Sequence, residues 1–316
     1  MAPQEHLFDV AVIGGGPAGL SAGIALARAL RSVLVVDAGG QRNLSARGVH
    51  GFLSREGMSP QDLVAAGREE LERYGGTAEH GLVTSVRRVE DTFVLSLKGG
   101  GTRSARRLLV ATGISDDLPA IPGLAERWGR DVLYCPYCHG WEIRGQKIGI
   151  LAADAKSAAE ALTFRQWSKD VTLFLNGTVK LNAEEAEQLQ ARGVRVVEGR
   201  VVGLDVREDK LAGVTLDGGA SVPLQVLAIS PVTTSKANML QQLGLEPCGL
   251  EEGEGSCLET DESGRTACPG VWAAGNAVDV SAQVMTAAAA GLRAAAAINA
   301  DLVLADTQQA VAAARA

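Results

Sequence analysis

The sequence is poor in aromatic side chains, histidine and cysteine. Phe, Trp and Tyr make up 4% of the 316 residues, and there are four histidines and five cysteines. Five cysteines in a chain of this length do not form the dense disulfide framework of a small secreted domain. A redox or metal-binding role is therefore expected only where two cysteines lie close together, at Cys135 and Cys138.

Other absences narrow the class of protein. We find no uninterrupted apolar run of the ~18 residues that a membrane-spanning helix needs. The net charge is −7 and no basic segment stands out, which disfavours a nucleic-acid partner. The first residues lack the basic and apolar segments of a signal peptide. We therefore expect a cytoplasmic protein with neither a nucleic-acid nor a membrane partner.

The pattern of apolar runs predicts an α/β fold with an internal repeat. Residues 8–13 and 32–37 are apolar runs that flank a glycine cluster and an Ala/Leu-rich helix, as in a βαβ unit of a parallel sheet. The same rhythm returns at residues 147–175, with its helix at about 155–168. We predict two Rossmann-like domains with three-layer ββα architecture. The first contains residues 1–116 and 240–316, and it is split by the insertion of residues 117–239.

The first glycine cluster predicts a dinucleotide site. Gly14, Gly16 and Gly19 match G-x-G-x-x-G between a strand and a helix. These glycines permit a tight turn, close approach of the pyrophosphate and packing of the helix on the strand. Asp37, at the end of the second strand, can accept hydrogen bonds from ribose hydroxyls.

Two later segments, at 109–113 and 270–276, resemble the second and third fingerprints of flavin-dependent disulfide reductases. A helix from about Ser281 could direct its N–H groups at the flavin. FAD is therefore the predicted cofactor. The predicted FAD-binding residues are Gly14, Gly16, Pro17, Ala18, Gly19, Asp37, Ala38, Ala111, Thr112, Gly113, Gly275, Asn276, Gln283 and Val284.

The second strand–helix turn has lost its glycines. Ala152, Asp154 and Ser157 occupy the positions that correspond to the three glycines of the first turn. Asp154 either repels a pyrophosphate or caps the helix, and both interpretations predict that NADPH does not bind. A flavoenzyme of this kind has to receive its electrons in another way, for example from a dithiol.

Cys135-Pro-Tyr-Cys138 is a C-x-x-C motif. A zinc site would need two more ligands at matching spacing, and Cys248, Cys257 and Cys268 are too scattered to supply them. A redox-active pair is the favoured interpretation, and no metal is predicted. His139 can act as an acid and base for the thiols, although a lone histidine is often structural. Trp141 and Glu142 could line the same cleft, and a packing role is an equally good interpretation of both. His50 has no assigned role.

Nearly the whole chain resembles the low-molecular-weight thioredoxin reductases, through the motifs at 14–19, 111–113, 135–138 and 270–276. Those enzymes typically carry an acidic residue after the second cysteine. His139 at that position, with the degraded second glycine motif, is similar to the FAD-dependent dithiol oxidases of gliotoxin, holomycin and romidepsin biosynthesis.

This resemblance implies a role for each catalytic residue. Cys138 is expected beside the flavin, Cys135 as the thiol that meets the substrate, and His139 as the acid and base. The expected partners are a small-molecule dithiol and O2, and the expected assembly is a homodimer. Two alternatives remain open: an NADPH-dependent reductase of a thioredoxin-like protein, and a non-catalytic flavin-binding redox sensor.

Overall fold

The computed structural model describes residues 6–250 and 255–316. The chain divides into two units. The first contains the residues up to Leu44, Pro60–Ser115 and Thr233–Ala316. The second contains Ser45–Ser59 and Asp116–Val232.

In each unit a stretch of alternating strands and helices is followed by a run of consecutive strands. The strands are β1 (Leu7–Ile13), β2 (Val33–Asp37), β3 (Thr77–His80), β4 (Val83–Val89), β5 (Thr92–Leu97), β6 (Thr102–Val110), β7 (Ile114–Asp117), β8 (Val132–Leu133), β9 (Ile148–Leu151), β10 (Val171–Phe174), β11 (Arg195–Val197), β12 (Val201–Arg207), β13 (Lys210–Leu216), β14 (Ser221–Pro223), β15 (Val226–Ile229), β16 (Val232–Ser235), β17 (Cys248–Gly249), β18 (Ser256–Cys257) and β19 (Val271–Ala273). The α-helices are α1 (Pro17–Arg28), α2 (Pro60–Arg73), α3 (Pro136–His139), α4 (Ser157–Phe164), α5 (Ala183–Ala191) and α6 (Val284–Arg315).

The sheet of the first unit has the order β3-β2-β1-β6-β5-β4. β1 pairs in parallel with β2 and β6, and β2 pairs in parallel with β3. On its other side, β6 pairs antiparallel with β5 near its start and parallel with β19 over its last residues. A parallel core with an antiparallel ribbon attached is thus built around β6, and the glycine turn follows β1 at the carboxyl end of the sheet.

Both faces of this sheet are buried. Side chains alternate between the two faces of a strand, so Val10 and Val12 belong to the core that α1 and α6 cover, while Ala11 and Ile13 belong to the core on the opposite face. This explains why the last four residues of β1, from Val10 to Ile13, are all apolar.

The sheet of the second unit has the order β11-β10-β9-β15-β8, and all its described pairings are parallel. β12, β13 and β14 form a separate antiparallel sheet. β1 in the first unit and β9 in the second each lie between two parallel partners, and in each unit an antiparallel ribbon precedes the strand, β6 or β15, that returns beside it. The prediction of two Rossmann-like α/β domains with an internal repeat is confirmed.

The division of the chain differs from the predicted boundaries at two places. Residues Ser45–Ser59 cluster with the second unit, since Gly129 packs so closely on Ser45 that a Cβ there would lie 2.3 Å from Ser45 Oγ. The chain returns from the second unit to the first after Val232, earlier than the predicted residue 240. At this point of the chain, β16 pairs with β7. Neither feature has a periodic sequence signal. The helix predicted at about 155–168 is shorter and spans Ser157–Phe164.

Helix α6 is 32 residues long and contains an 18-residue window with mean hydropathy 1.4, so by length and composition it could cross a membrane. Arg293 interrupts its apolar residues, which is why no uninterrupted run is visible in the sequence. One face packs in the core against α1, and a Cβ on Gly291 would lie 2.0 Å from the carbonyl oxygen of Ala18. The buried residues of α6 are Ala287, Gly291, Ala294, Ala295, Ile298 and Leu302.

Candidate active site

The first glycine turn leaves room for a ligand beside only one of its motif glycines. Gly14 has φ +110°, and a Cβ there would lie 2.3 Å from the carbonyl oxygen of Ala111. A Cβ on Gly19 would lie 1.9 Å from the carbonyl oxygen of Gly14. At Gly16, however, the nearest protein atom would be Gln41 Cγ at 3.9 Å. The fold itself requires Gly14 and Gly19, whereas Gly16 opens onto free space, as close approach of a pyrophosphate to the backbone would require.

The start of α1 is suited to an anion. Gly16 is its N-cap residue and makes no side-chain capping bond, and Pro17 occupies the first turn. The first N–H groups of a helix have no acceptor within the helix, and the helix dipole favours negative charge at this end. A cofactor phosphate would supply the acceptor.

Asp37 is buried at the end of β2, next to this turn. Its carboxylate accepts hydrogen bonds from Gly39 N–H at 3.2 Å, from Gln41 Nε2 at 2.8 Å and from Arg68 Nη2. A Cβ on Gly15 would lie 2.7 Å from Asp37 Cβ, so the carboxylate sits directly behind the turn. Sequence reasoning missed Gln41 and Arg68, because Arg68 reaches Asp37 from the separate helix α2.

A hydroxyl without a partner lies near the same turn. Thr112 Oγ1 is buried and has no hydrogen-bond partner among the described residues. Its neighbour Ala111 touches Gly14, and Gly113 adopts φ +66° to turn the chain away. A buried hydroxyl normally has a partner. A ligand with polar groups in this position would satisfy it, which fits the predicted FAD.

The third predicted segment forms the turn before α6. Gly275, with φ +71°, packs close to Ala18 of α1. Asn276 Nδ2 donates to the carbonyl oxygens of Asp279, Val280 and Ala282 at 2.9, 3.2 and 3.1 Å. A carboxylate could not donate these bonds, so Asn276 holds this turn together.

The helix itself begins at Val284, with Gln283 as an N-cap that lacks a side-chain capping bond. Its start is therefore slightly later than predicted from the sequence. Val284 and the residues after it present helix N–H groups at this end.

The predicted cysteine pair is a disulfide between Cys135 and Cys138, with a Cα–Cα distance of 5.3 Å. Cys135 is the N-cap of α3 and Pro136 occupies the first turn. Cys138 N–H donates to Cys135 Sγ at 3.2 Å. A donor aimed at this sulfur stabilises a thiolate on Cys135 once the bond opens.

His139 follows the second cysteine and is half-buried. Burial lowers the pKa of its imidazole below the ordinary 6.5, while the Glu142 carboxylate acts in the opposite direction and His50 lowers the pKa further. The neutral imidazole is therefore favoured at neutral pH. A neutral imidazole beside a dithiol can accept a thiol proton.

A tryptophan supports the helix that carries the cysteines. A Cβ on Gly140 would lie 2.6 Å from Trp167 Cε2, so only glycine permits this packing. The rings of Tyr137 and Trp167 meet edge to face, with centroids 5.6 Å apart. Tyr137 and Trp141 are 70% and 67% exposed, so aromatic side chains flank the disulfide in a chain that has few of them.

The remaining cysteines are poor nucleophiles. Cys248 and Cys257 are opposite residues of β17 and β18, and Cys268 is separate. Burial raises the pKa of all three thiols. A raised pKa keeps a thiol protonated, which sets these cysteines apart from the pair in α3.

In the second unit, side chains of the turn itself accept hydrogen bonds from its backbone N–H groups. Ser157 Oγ accepts from Ala153 N–H and Asp154 N–H at 3.1 and 3.3 Å. Asp154 Oδ1 accepts from Lys156 N–H at 2.8 Å. Asp154 thus binds the turn rather than acting as the N-cap of α4, which is Lys156. Donors that would face a phosphate in a glycine turn are already used.

A buried carboxyl group lies close to this turn. Burial, with a smaller contribution from the Asp154 carboxylate, raises the pKa of Glu160 from its ordinary 4.5 to about 7. Ser230 Oγ donates to Glu160 Oε2 at 3.2 Å, whereas Oε1 is buried and has no partner in the part of the chain that the structure describes. Sequence reasoning did not single out this residue, because a glutamate on a short helix is usually exposed.

Comparison with known proteins assigns the family. Residues 8–291 match the family described as pyridine nucleotide-disulphide oxidoreductase. The chain belongs to this family. It is therefore a flavin-dependent oxidoreductase that acts on thiols, and the prediction of a thioredoxin-reductase-like flavoprotein is confirmed.

The relatives agree with this assignment over nearly the whole chain. Thioredoxin reductase sirT of Leptosphaeria maculans is 32% identical, with 95% of each chain covered. Thioredoxin reductase tcpT of Claviceps purpurea is 31% identical over 77% of this chain and 79% of its own. Among solved structures, HlmI is 44% identical with a TM-score of 0.91, covering 98% of this chain and 96% of its own.

Replacement of Gly16 by Ala tests the cofactor site. The new methyl group meets no protein atom closer than 3.9 Å, so the chain should fold as before. It projects into the space assigned to the pyrophosphate, and the purified protein should lose most of its bound FAD, measured by flavin absorbance per chain. Gly203→Ala, which also has open space around its Cβ, should keep the cofactor. Full FAD content in the Gly16 variant would contradict the assignment.

Replacement of Glu160 by Gln tests the buried carboxyl group. A pKa of about 7 in the folded chain, against 4.5, means that the folded state binds a proton that the unfolded state releases between these values. Stability should therefore fall as the pH rises from 4.5 to 7, and above pH 7 the loss should be about 3 kcal/mol.

Urea unfolding of the wild type and Glu160→Gln at several pH values measures this loss. The variant should gain stability relative to the wild type as the pH rises, whereas Glu187→Gln, at an exposed position of α5, should follow the wild type. Parallel curves for the wild type and Glu160→Gln would exclude the shift.

Proposed function

We propose that the protein is an FAD-dependent dithiol oxidase that closes an intramolecular disulfide in a small-molecule natural product, with O2 as the electron acceptor and H2O2 as the product. The observation that carries this proposal is the second strand–helix turn, whose N–H groups are held by Ser157 and Asp154. This arrangement supports the entry of electrons through thiols in place of a pyridine nucleotide.

The cysteine pair performs the exchange with the substrate. A substrate thiolate attacks Cys135 Sγ, the Cys135–Cys138 bond breaks, and its electron pair leaves on Cys138 Sγ. The second substrate thiol then attacks the substrate sulfur of this mixed disulfide, and Cys135 leaves as a thiolate. The N–H group of Cys138, which points at Cys135 Sγ, stabilises that leaving group. The substrate has lost two electrons, and the cysteine pair has gained them.

His139 handles the protons of the exchange. The burial that lowers its pKa keeps the imidazole neutral at neutral pH, ready to accept a proton from a substrate thiol. The first glycine turn would hold FAD, and FAD would supply the two-electron redox chemistry that links re-formation of the Cys135–Cys138 disulfide to O2. The residues proposed to hold FAD are the predicted set around Gly16, Asp37, Thr112 and Val284.

A second candidate function is an NADPH-dependent disulfide reductase. It is favoured by the names of the relatives, several of which are called thioredoxin reductase. In that case the second unit would bind NADPH despite Asp154, and the turn would have to release the N–H groups that Ser157 holds. The two candidates differ in the molecule that reduces the flavin.

Anaerobic mixing of the FAD-loaded protein with either donor distinguishes them. Reduced gliotoxin, a small dithiol, should bleach the flavin absorbance band, and NADPH should leave it unchanged. On admission of air, O2 should be consumed and H2O2 should accumulate. Cys138→Ser is the control and should stay oxidised with the dithiol. Bleaching by NADPH alone would overturn the oxidase and support the reductase.

His139→Gln tests the acid–base role. Loss of a positioned base should lower kcat/KM for the dithiol by about 10²–10⁴-fold at neutral pH. In the wild type, kcat/KM should fall as the pH drops through the lowered pKa of His139, so the acid limb lies below the ordinary 6.5. The variant should lack this limb, and His6→Gln, which changes an exposed histidine of the first unit, should retain it. An unchanged rate in His139→Gln would remove this residue from the mechanism.

A further inference from the structure

A second histidine lies close to the acid–base group of the cysteine pair. His50 belongs to the segment Ser45–Ser59, which clusters with the unit that carries α3. Its Nε2 lies 3.8 Å from Oε1 of Glu142, and the electrostatic influence of both residues reaches His139. The mechanism proposed above uses neither His50 nor Glu142.

The loop holds the His50 ring in one orientation. Val49 and Met58 form an antiparallel bridge that closes the loop, with Val49 N–H donating to the carbonyl oxygen of Met58 at 2.8 Å. Inside it, the Glu56 carboxylate contacts His50 Nδ1 at 2.6 Å and accepts from Gly51 N–H at 2.9 Å. These two contacts lower the pKa of Glu56, so this carboxyl group is ionised and His50 Nδ1 is the donor.

The orientation of the ring leaves one nitrogen for Glu142. Because Nδ1 donates to Glu56, Nε2 is the ring nitrogen that faces Oε1 of Glu142, and it attracts this carboxylate when it also carries a proton, in the imidazolium form. A histidine whose one nitrogen is fixed by a carboxylate presents the other in a defined direction. Glu142 itself lies three residues after His139, and its N–H donates to the carbonyl oxygen of His139 at 3.1 Å.

We propose that His50, anchored by Glu56, is a positioning residue for His139: it holds the Glu142 carboxylate beside the imidazole and so stabilises the protonated form that arises when His139 accepts a thiol proton. This inference rests on the proposed dithiol exchange, because it assigns His139 a proton to hold. Glu142 acts on His139 through its charge, and the positioning effect of His50 is exerted through Glu142.

The charges around His139 determine in which direction its pKa should shift in the test. Within its unit, the charged groups that act on His139 are Glu142, which raises its pKa, and His50, which lowers it. If His50 acted only as a nearby charge, its removal would raise the pKa of His139. If it holds Glu142 in place, its removal lowers that pKa, because the carboxylate is released into solvent. The two explanations therefore predict opposite shifts.

The experiment is an NMR titration of the histidine rings in the full-length, FAD-loaded and oxidised protein. The chain has only His6, His50, His80 and His139, so each signal can be assigned by substitution. His50→Asn keeps an amide donor for Glu56 and removes Nε2. We expect the pKa of His139 to fall in His50→Asn and in Glu142→Gln. In the double variant the pKa of His139 should fall no further than in Glu142→Gln alone, because both substitutions remove the same His50–Glu142 interaction.

Two further variants serve as controls that separate the loss of the His50–Glu142 contact from a general effect of misfolding. Glu56→Gln leaves His50 in place but weakens its anchor, so the pKa of His139 should shift in the same direction by a smaller amount. His6→Asn should leave it unchanged. A rise or no change of the His139 pKa in His50→Asn, or additive shifts in the double variant, would overturn the inference.

The outcome is separable from that of the proposed function. The titration needs neither substrate nor O2. If His139 shifts as expected but no dithiol is oxidised, the positioning by His50 stands and the oxidase fails. If the dithiol is oxidised and the His139 pKa is insensitive to His50, only the positioning fails. Where both hold, the acid limb of the kcat/KM profile should move to lower pH in His50→Asn.

Discussion

The N–H groups at the start of a helix need an acceptor, and this protein satisfies them in three different ways. At α1 no side chain caps the helix, and Gly16 opens onto space for a phosphate. At α4 the hydroxyl of Ser157 and the carboxylate of Asp154 take the N–H groups of the turn. At α3 the acceptor is the sulfur of Cys135. The same backbone requirement thus accompanies an open turn at α1, a closed turn at α4 and a sulfur acceptor at α3.

This constraint explains how a repeat can keep its fold and change its chemistry. The parallel sheet around β9 is buried on both faces by apolar side chains, which do not depend on a nucleotide. Loss of the glycines at the second turn therefore leaves the sheet intact, provided that other acceptors replace the phosphate. Ser157 and Asp154 do so locally, within four residues of chain. The apolar core of this unit therefore does not require a nucleotide.

The sequence predicted the fold and the cysteine pair well because both have local signals. Alternating apolar runs and glycines mark β1, α1 and β2, and the spacing of Cys135 and Cys138 defines their disulfide. Contacts between distant segments had no such signal. Arg68 reaches Asp37 from a helix 31 residues away, and neither residue type nor spacing reveals that pair. The place of Ser45–Ser59 in the second unit also depends on packing against Gly129, which only the folded chain brings near.

His50 shows most clearly why the rest of the candidate site could not be predicted from the sequence. The sequence shows a lone histidine in a loop but does not indicate its role, because that role depends on its contacts with Glu56 and Glu142 in the folded chain. The resemblance to thioredoxin reductases implies an acidic residue directly after the second cysteine, and this chain has His139 there instead. A carboxylate is still present, at Glu142, where its charge supports the imidazole. In the proposed mechanism, the acid–base function is thus divided between a histidine that can exchange protons near neutrality and a carboxylate that favours its protonated form.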